Sequence, residues 1–388
     1  MTTCPSCGGQ TPEGNFCVRC GAPLGKGFAG PSRRRVQFAA APHEPAALPS
    51  VVSTLFPRLP RDSQLSYRLA LWVGIAVVVV LAILGLFPVA LIAAALLLPV
   101  LVVLYLVDIN VYEEEPVWAM SLTIGWGTAA GVGFGLLALA VAPAAASVVV
   151  NGTSQYLFVQ GLVLPLCGFF VLLLGPLILL RYQRFNEVLD GVTFGASTAA
   201  AFSGALAITY GAHLIGAGLR PGGAVLPWIW PLLSWALGMP ILTMGAAAAA
   251  CAALWLRYRA PARDAGALGR LGHPAVALPV AGMLVMGGAV GETFLPAGGW
   301  LVWLAAFDLV AISLLRRSIH VGLLEESSDP AISDDLVCPN CGHPTARHTF
   351  CGHCGISLQA LPKTAGLGHP SGTEAGGPLF GASPEAGS

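Results

Sequence analysis

Charged residues are scarce in this chain of 388 residues. Asp, Glu, Lys and Arg together make up 10% of it, whereas about 25% is typical of a soluble domain. Basic and acidic residues are equal in number, 19 of each, so the formal net charge is zero. This composition excludes a soluble globule as the main class, and no basic excess points to nucleic acid as a partner.

The first residues lack the features of a secretory signal peptide. Met1 is not followed by a basic start and an apolar stretch, and such signals need both. We therefore expect the N-terminus to stay in the cytoplasm.

Long apolar segments fill the middle of the chain. Hydrophobic residues make up 55% of the sequence, and the mean hydropathy is +0.75. A helix needs about 20 apolar residues to cross the hydrocarbon of a bilayer. Eight segments meet this condition: 67–87, 89–107, 117–142, 156–180, 191–216, 227–256, 274–295 and 298–315. The sequence thus predicts an all-α polytopic membrane protein with the lipid bilayer as its surroundings.

Two Cys-x-x-Cys pairs stand near the N-terminus. Nine residues separate the pairs, which consist of Cys4, Cys7, Cys17 and Cys20. Each pair forms a tight turn that aims two thiolates at one point, and two such turns supply the tetrahedral sulfur set of a structural zinc site. So short a segment cannot bury a core, so the metal must supply its folding energy. This pattern predicts a zinc ribbon.

The same pattern recurs near the C-terminus and predicts a second zinc ribbon. Its four cysteines are Cys338, Cys341, Cys351 and Cys354. The copies also share a threonine and a phenylalanine, at Thr11 and Thr345 and at Phe16 and Phe350. The second copy contains three histidines that are candidate replacement ligands or, more simply, surface residues: His343, His348 and His353. Two structural Zn²⁺ ions are the cofactors this repeat implies.

Thiol chemistry, span parity and basic residues predict the same topology. Thiol ligands need a reducing compartment, and an even number of spans places both ribbons on one side. Arginines cluster after spans four, six and eight, as short cytoplasmic loops require: Arg181, Arg184, Arg257, Arg259, Arg263, Arg270, Arg316 and Arg317. We expect both termini to be cytoplasmic. The Ala, Gly, Val and Arg bias favours a bacterial plasma membrane.

The expected domain order follows from these features. We expect the first ribbon at 1–25, a flexible basic linker at 26–65 and the membrane domain at 66–317. A second linker at 318–337, the second ribbon at 338–358 and a disordered tail at 359–388 follow.

Small residues and prolines recur inside the spans. Glycines at four-residue intervals let helix backbones approach closely; they are Gly127, Gly131 and Gly135, with Gly191 and Gly195 in span five. We expect kinks at the prolines within spans, which are Pro99, Pro165, Pro176 and Pro240.

Three polar residues in the spans are candidates for function because such groups are costly in lipid. Asp308 lies near the middle of span eight, and His213 and Glu292 lie toward the outer ends of their spans, where they are candidates for a pair. A structural role for Asp308, facing the bundle as a protonated or hydrogen-bonded group, is an equal alternative.

Two segments carry a family resemblance. Residues 108–116 read DINVYEEEP, which resembles the Asp, Tyr and Glu-x-Glu-Pro pattern of the PrsW-like membrane protease family. Residues 190–196 read DGVTFGA and, with Phe202, resemble that family's Asp-Gly-x-x-x-Gly-Ala helix start. The resemblance covers about residues 100–260 and implies an intramembrane metalloprotease, in which glutamates and a histidine bind a metal that activates water.

The chain departs from the family at the catalytic positions. The paired glutamates and lysine of the family would fall at 165–171, which read PLCGFFV. Leu206 and Ala207 stand where the family has glutamate and asparagine, and span six contains no histidine. The resemblance then implies a scaffold without the protease site. His213, Glu292 and Asp308 are the only candidates for a rebuilt one.

Three functional classes stay open on the sequence alone. The first is a membrane adaptor that docks cytoplasmic proteins through its ribbons, and the second is an active or substrate-binding PrsW-like protease. The third is nucleic-acid binding by the ribbons, which the few cations in them, Arg19 and Arg347, disfavour. The missing glutamate pair favours the adaptor.

Overall fold

The computed structural model describes residues 1–4, 10–24, 54–55, 61–108, 117–141, 157–212, 226–259, 268–326, 333–338 and 340–358. In these residues the chain is a helical bundle with a small antiparallel two-stranded sheet at each end. The N-terminal sheet pairs β1 (Thr2–Thr3) with β2 (Gln10–Thr11). The C-terminal sheet pairs β3 (Ser333–Val337) with β4 (Pro344–Arg347).

In the described residues, nine α-helices form the bundle. The first five are α1 (Arg61–Ile83), α2 (Phe87–Asp108), α3 (Val117–Val141), α4 (Leu164–Leu179) and α5 (Val188–Tyr210). The last four are α6 (Leu226–Leu233), α7 (Met239–Tyr258), α8 (Pro274–Phe294) and α9 (Ala297–Glu326). Two π-helical turns are continuous with α-helices: Leu157–Val163 runs into α4, and Ser234–Gly238 joins α6 to α7.

Within the part of the chain that the structure describes, eight helical segments are long and apolar enough to cross a membrane, which confirms the predicted fold class and span count. They are Leu65–Ile83, Phe87–Tyr105, Trp118–Val141, Gly161–Leu179, Val188–Tyr210, Ser234–Tyr258, Pro274–Phe294 and Gly298–Gly322. Large apolar side chains are exposed on their outer faces, among them Trp72, Leu136 and Val302. So much exposed apolar surface is unsuited to water and suited to lipid. The chain is a multi-pass membrane protein.

Helices α5 and α7 form the centre of the bundle. Span six contains α7, and 83% of its apolar stretch is buried inside the protein, whereas 17% of the apolar stretch in α1 is buried. α5 packs along α3 and α7, and it also contacts α2, α4 and α9. The central helices are rich in Ala and Gly, and small side chains allow neighbours to approach on every side.

The predicted glycine seams are confirmed. A Cβ at Gly131 would lie 2.5 Å from the carbonyl oxygen of Phe202 on α5, and one at Gly195 would lie 2.8 Å from that of Ala247 on α7. These backbones approach too closely for a side chain, so dispersion contacts between main chains hold the central helices together.

Two of the span prolines mark breaks in helix geometry. Pro165 and Pro240 each follow a π-helical turn and stand in the first positions of the α-helix that comes next. Proline has no N–H to donate to the preceding turn, so the helix changes its hydrogen-bond register there. Pro99 and Pro176 lie inside α2 and α4.

A capping box forms the start of α5. Asp190 Oδ2 accepts a hydrogen bond from the backbone N–H of Glu187 at 3.1 Å, and the Glu187 side chain accepts one from the Asp190 backbone. This capping box satisfies exposed amides at the helix N-terminus. The other half of the resemblance, 109–116, lies outside the described residues.

Helix α9 continues to Glu326, past the boundary at 317 that the sequence suggested. Ile319 and Val321 are buried in the same core cluster as the spans. The helix therefore extends beyond the span Gly298–Gly322 toward the C-terminal ribbon.

Two glycines of α3 provide a test of the seam. We expect Gly131→Ala to destabilise the protein by about 1–3 kcal/mol, since its new methyl group meets the α5 backbone. Gly133→Ala is the matched control, because nothing lies within 4 Å of its added Cβ, and we expect it to be neutral or stabilising by up to about 1 kcal/mol. Thermal unfolding of both variants in detergent measures the difference, and equal melting temperatures would contradict the packing described.

Candidate metal centres and the paired ribbons

The four cysteines of the C-terminal ribbon bring their sulfur atoms together. All four Sγ atoms lie within 4.8 Å of one another. The Cys338–Cys354 and Cys341–Cys351 sulfur pairs are 3.8 Å apart. A tetrahedral zinc site with bonds of about 2.3 Å has sulfurs separated by about 3.8 Å, whereas a disulfide has them about 2.05 Å apart. The spacing fits a metal ion held by four free thiols.

The N-terminal ribbon shows the same arrangement in its described residues. Cys4, Cys17 and Cys20 form a second buried group of sulfur ligands, with the Sγ atoms of Cys4 and Cys20 3.7 Å apart. Cys7 lies outside the described residues. Three of four predicted ligands are thus brought together here, and all four in the other ribbon.

Glycines shape the turns that carry the cysteines. In the second turn of each ribbon the glycine N–H donates to the carbonyl of the first cysteine, Gly21 to Cys17 at 2.8 Å and Gly355 to Cys351 at 2.9 Å. The φ angles of Gly21, Gly342 and Gly355 are 70°, 71° and 71°. Only glycine adopts this left-handed conformation without strain, which explains why each of these Cys-x-x-Cys pairs precedes one.

The threonine shared by the two copies supports the second turn. Thr11 Oγ1 accepts a hydrogen bond from the Val18 N–H at 3.2 Å, and Thr345 Oγ1 accepts one from the Gly352 N–H at 2.9 Å. Both threonines are buried. The sequence repeat is therefore a repeat of the same hydrogen bonds.

The C-terminal sulfur cluster favours a thiolate before any metal is considered. Hydrogen bonds from Cys338 and Cys354 hold the pKa of the Cys351 thiol well below its ordinary value, and the bond with Cys351 raises the pKa of Cys338. A thiolate is the form that binds metal.

The three histidines of the C-terminal ribbon lie outside the sulfur cluster. The rings of His343 and His353 are exposed and stack on each other at 4.0 Å. His348 is partly buried beside the N-terminal ribbon, where burial and then the charge of Arg19 lower its pKa. His343 and His353 are thus surface residues, His348 lies between the ribbons, and none of the three belongs to the group of sulfur ligands.

The two ribbons pair with each other through backbone hydrogen bonds. The Phe16 N–H donates to the Gly352 carbonyl at 2.9 Å, and the Phe350 N–H donates to the Val18 carbonyl at 2.9 Å. Phe16 corresponds to Phe350 in the repeat, and Val18 to Gly352. The two bonds are therefore the same bond related by a pseudo-two-fold axis, as in the self-complementary interface of a symmetric dimer.

Each phenylalanine of the repeat packs on the partner ribbon. A Cβ at Gly21 would lie 3.0 Å from the Phe350 ring, and one at Gly355 would lie 2.8 Å from the Phe16 ring. The glycine that shapes each metal-binding turn thus also provides the surface that receives an aromatic ring. We call this pair of ribbons, residues 1–24 and 333–358, the ribbon head.

The ribbon head contacts the membrane domain. Phe350 is fully buried, belongs to the core cluster of the spans, and lies 5.8 Å from the His320 ring of α9 between ring centroids. Both ends of the described chain are thereby brought to the same end of the bundle.

The intramembrane candidates are not gathered into a metal site in the described residues. Within that part of the chain, every group of three or more clustered His, Cys, Asp or Glu ligands consists of ribbon cysteines. Glu292 is on the exposed face of α8, Asp308 is partly buried on α9, and His213 lies outside the described residues. The pairing of His213 with Glu292 stays a prediction.

The positions where the resemblance would place catalytic residues serve packing. Gly168 packs against the Phe134 ring, and Cys167 is exposed. On α5, Leu206 packs against Gly131 and Ala207 is buried.

Comparison with protein-family models, curated proteins and solved structures finds no match for this chain. The PrsW-like resemblance therefore stays a prediction.

Replacing single cysteines tests the metal centres. We expect the full-length protein to hold two metal ions and Cys351→Ser to hold one, because a four-sulfur site with three thiolates loses much of its affinity. Cys167→Ser is the control, since Cys167 lies outside both clusters. Elemental analysis of the purified proteins measures the ratio, and an unchanged metal content in Cys351→Ser would contradict the site.

A second pair of variants tests the contact between ribbons. Gly355→Ala and Gly342→Ala share a strained φ that costs about 1–2 kcal/mol. Only Gly355 has the Phe16 ring against it, since nothing lies within 4 Å of a Cβ at Gly342. We expect Gly355→Ala to release metal to a chelator faster than Gly342→Ala. Equal rates would show that the ring contact contributes nothing.

Proposed function

We propose that this protein is a membrane scaffold or adaptor that docks a cytoplasmic protein through its zinc-bearing ribbon head. A site with four thiolate ligands is closed, with no position for a reactive water, and is typical of structural zinc. In this proposal two Zn²⁺ ions hold the ribbons folded and take no part in a reaction.

The pairing of the two ribbons against α9 is the observation that carries the proposal. Separate ribbons on flexible linkers would present small surfaces in variable positions. Two paired ribbons, tied by the Phe16 and Phe350 hydrogen bonds and seated near His320, form one larger surface at a fixed position. A partner that binds both ribbons gains affinity from their fixed separation, because binding to the first ribbon holds the partner next to the second.

The proposed location of the head is the cytoplasmic face of a bacterial plasma membrane. Arg257 lies in the last turn of α7, and Arg316 and Arg317 lie on α9 within one turn of His320, which contacts the head. Basic residues collect on the cytoplasmic side, and free thiols persist in a reducing compartment.

An active intramembrane metalloprotease of the PrsW-like type is the alternative. It requires a metal held in the membrane domain, and the described residues gather metal-ligand groups in the ribbons alone. The double variant Cys17→Ser with Cys351→Ser separates the two functions. No tightly held metal in this variant agrees with the scaffold, whereas one retained metal ion would favour the protease.

Photo-crosslinking in cells tests the docking function. A photoreactive amino acid at Gln10 or Arg347, both exposed on the ribbon head, is expected to capture a discrete soluble protein. The same group at Val302, 73% exposed on the outer face of α9, is the control and is expected not to capture it. Cys351→Ser should abolish the adduct; an adduct that persists in this variant, or none in the intact chain, would refute docking through the head.

A further inference from the structure

Asp308 on α9 has a carboxyl oxygen without a hydrogen-bond partner inside the membrane domain. It lies within the span Gly298–Gly322, and its Oδ1 atom is shielded and accepts no hydrogen bond in the described residues. The neighbours of Asp308 on the outer face of α9, Leu309 and Val310, are exposed. Asp308 is thus at the edge between the lipid-facing and the packed sides of the helix.

The packed side of Asp308 faces the π-helical turn Ser234–Gly238. A Cβ built on Gly238 would lie 3.5 Å from Asp308 Oδ2 and would collide with Leu304, one turn earlier on α9. Glycine at 238 therefore lets the backbone of the π-helical turn approach the carboxyl group. A larger residue at position 238 would have to displace the Leu304 side chain.

This turn contains a backbone carbonyl without its helical donor. The N–H of Met239 donates to Ser234 O rather than to Trp235 O, which it would reach in an α-helix. The next residue that could donate to Trp235 O in the π register is Pro240, which has no N–H. The Trp235 carbonyl, within one turn of Gly238, thus has neither helical partner.

In the described residues, the elements that pack against α9 carry no base or cation close to Asp308. α9 packs against α5, α6, the π-helical turn, α7 and α8. The described parts of α6 and the π-helical turn contain no titratable side chain. The titratable residues of the other packed helices are Asp190 and Tyr210 on α5, Cys251, Arg257 and Tyr258 on α7, and Glu292 on α8.

Their positions keep these groups away from Asp308. Arg257 is near the end of α7, about 29 Å along the helix from Gly238. On α8, Gly287 packs on the ring of Phe307, the residue before Asp308. Glu292 lies five residues later, which is about 7.5 Å further along the axis of α8, and its side chain is exposed. The first basic residue after Asp308 on α9 itself is Arg316, about 12 Å away along the axis. Arg317, His320, Glu325 and Glu326 follow it toward the ribbon head.

These surroundings favour the protonated form of the carboxyl group. An ionised carboxylate in a low-dielectric region without a cation costs several kcal/mol, and an unsatisfied carbonyl there is costly too. Adding H⁺ to the carboxylate gives a neutral COOH group, whose O–H can donate to a carbonyl. Hard metal ions take about six oxygen ligands, and the described side chains supply one carboxyl group here.

We propose that Asp308, held against the π-helical turn Ser234–Gly238, is an exchangeable proton-binding site within the membrane domain. The bound proton makes the carboxyl group neutral and gives it an O–H that can donate, and release of the proton leaves an uncompensated carboxylate beside the turn. The packing of α9 on the broken helix therefore depends on the proton. This site is independent of the ribbons and of the docking function.

Infrared spectroscopy of the full-length protein in lipid vesicles tests the site. We expect the carbonyl band of a protonated carboxyl group, a shift of that band after transfer to D₂O, and loss of the band in Asp308→Asn. Glu292→Gln is the matched control and should retain it. A band that does not shift in D₂O, or that survives in Asp308→Asn, would overturn the proposal.

A second measurement needs no variant, so it holds even if Asp308→Asn does not fold. Hydrophobic carbodiimides react with protonated carboxyl groups, and mass spectrometry is expected to find the adduct on Asp308. Labelling should fall as the pH is raised and be unaffected by Na⁺ at constant pH. No adduct on Asp308 would refute the site, and protection by Na⁺ would assign it to that ion instead of the proton.

Discussion

The spacing of cysteine sulfurs is the constraint on which the part of the protein outside the membrane depends. A ribbon of some twenty residues has no core of its own, and a metal ion held by sulfurs about 3.8 Å apart would fix its turns. Those turns present Gly21 and Gly355, and these glycines accept the Phe350 and Phe16 rings. The contact between the ribbons therefore depends on the turns that a metal ion would fix, and the contact of Phe350 with α9 depends on the same turns.

The membrane domain depends on a different constraint, the close approach of its helix backbones at glycine residues. Small residues allow the main chains of α3, α5 and α7 to contact one another directly. Irregular helix geometry occurs instead in the π-helical turns that precede Pro165 and Pro240. Irregular backbone within a membrane domain is tolerated where neighbours satisfy its polar groups. The turn Ser234–Gly238 is irregular backbone of this kind, and its Gly238 lies against Leu304 and Asp308 of α9.

The sequence predicted the elements that depend on local patterns. Apolar length gave eight spans, cysteine spacing gave the two sulfur clusters, and glycine spacing gave the seams at Gly131 and Gly195. It did not predict the pairing of the ribbons, because contact between residues more than three hundred positions apart leaves no periodic signal. One signal was present: Phe16 and Phe350 recur in modules too small to bury an aromatic ring alone. The π-helical turns, in one of which the Met239 N–H donates to Ser234 rather than to Trp235, depend on hydrogen-bond register, which composition does not encode.

The distance between the two ribbons in the intact chain tests the account most directly. Spin labels attached through non-cysteine chemistry at Glu13 and Arg347, both exposed, report it by pulsed electron paramagnetic resonance in lipid. A paired ribbon head predicts one narrow, short distance that broadens when a chelator removes the metal. A broad distribution in the metal-loaded protein would contradict it, because the ribbons would then move as separate modules.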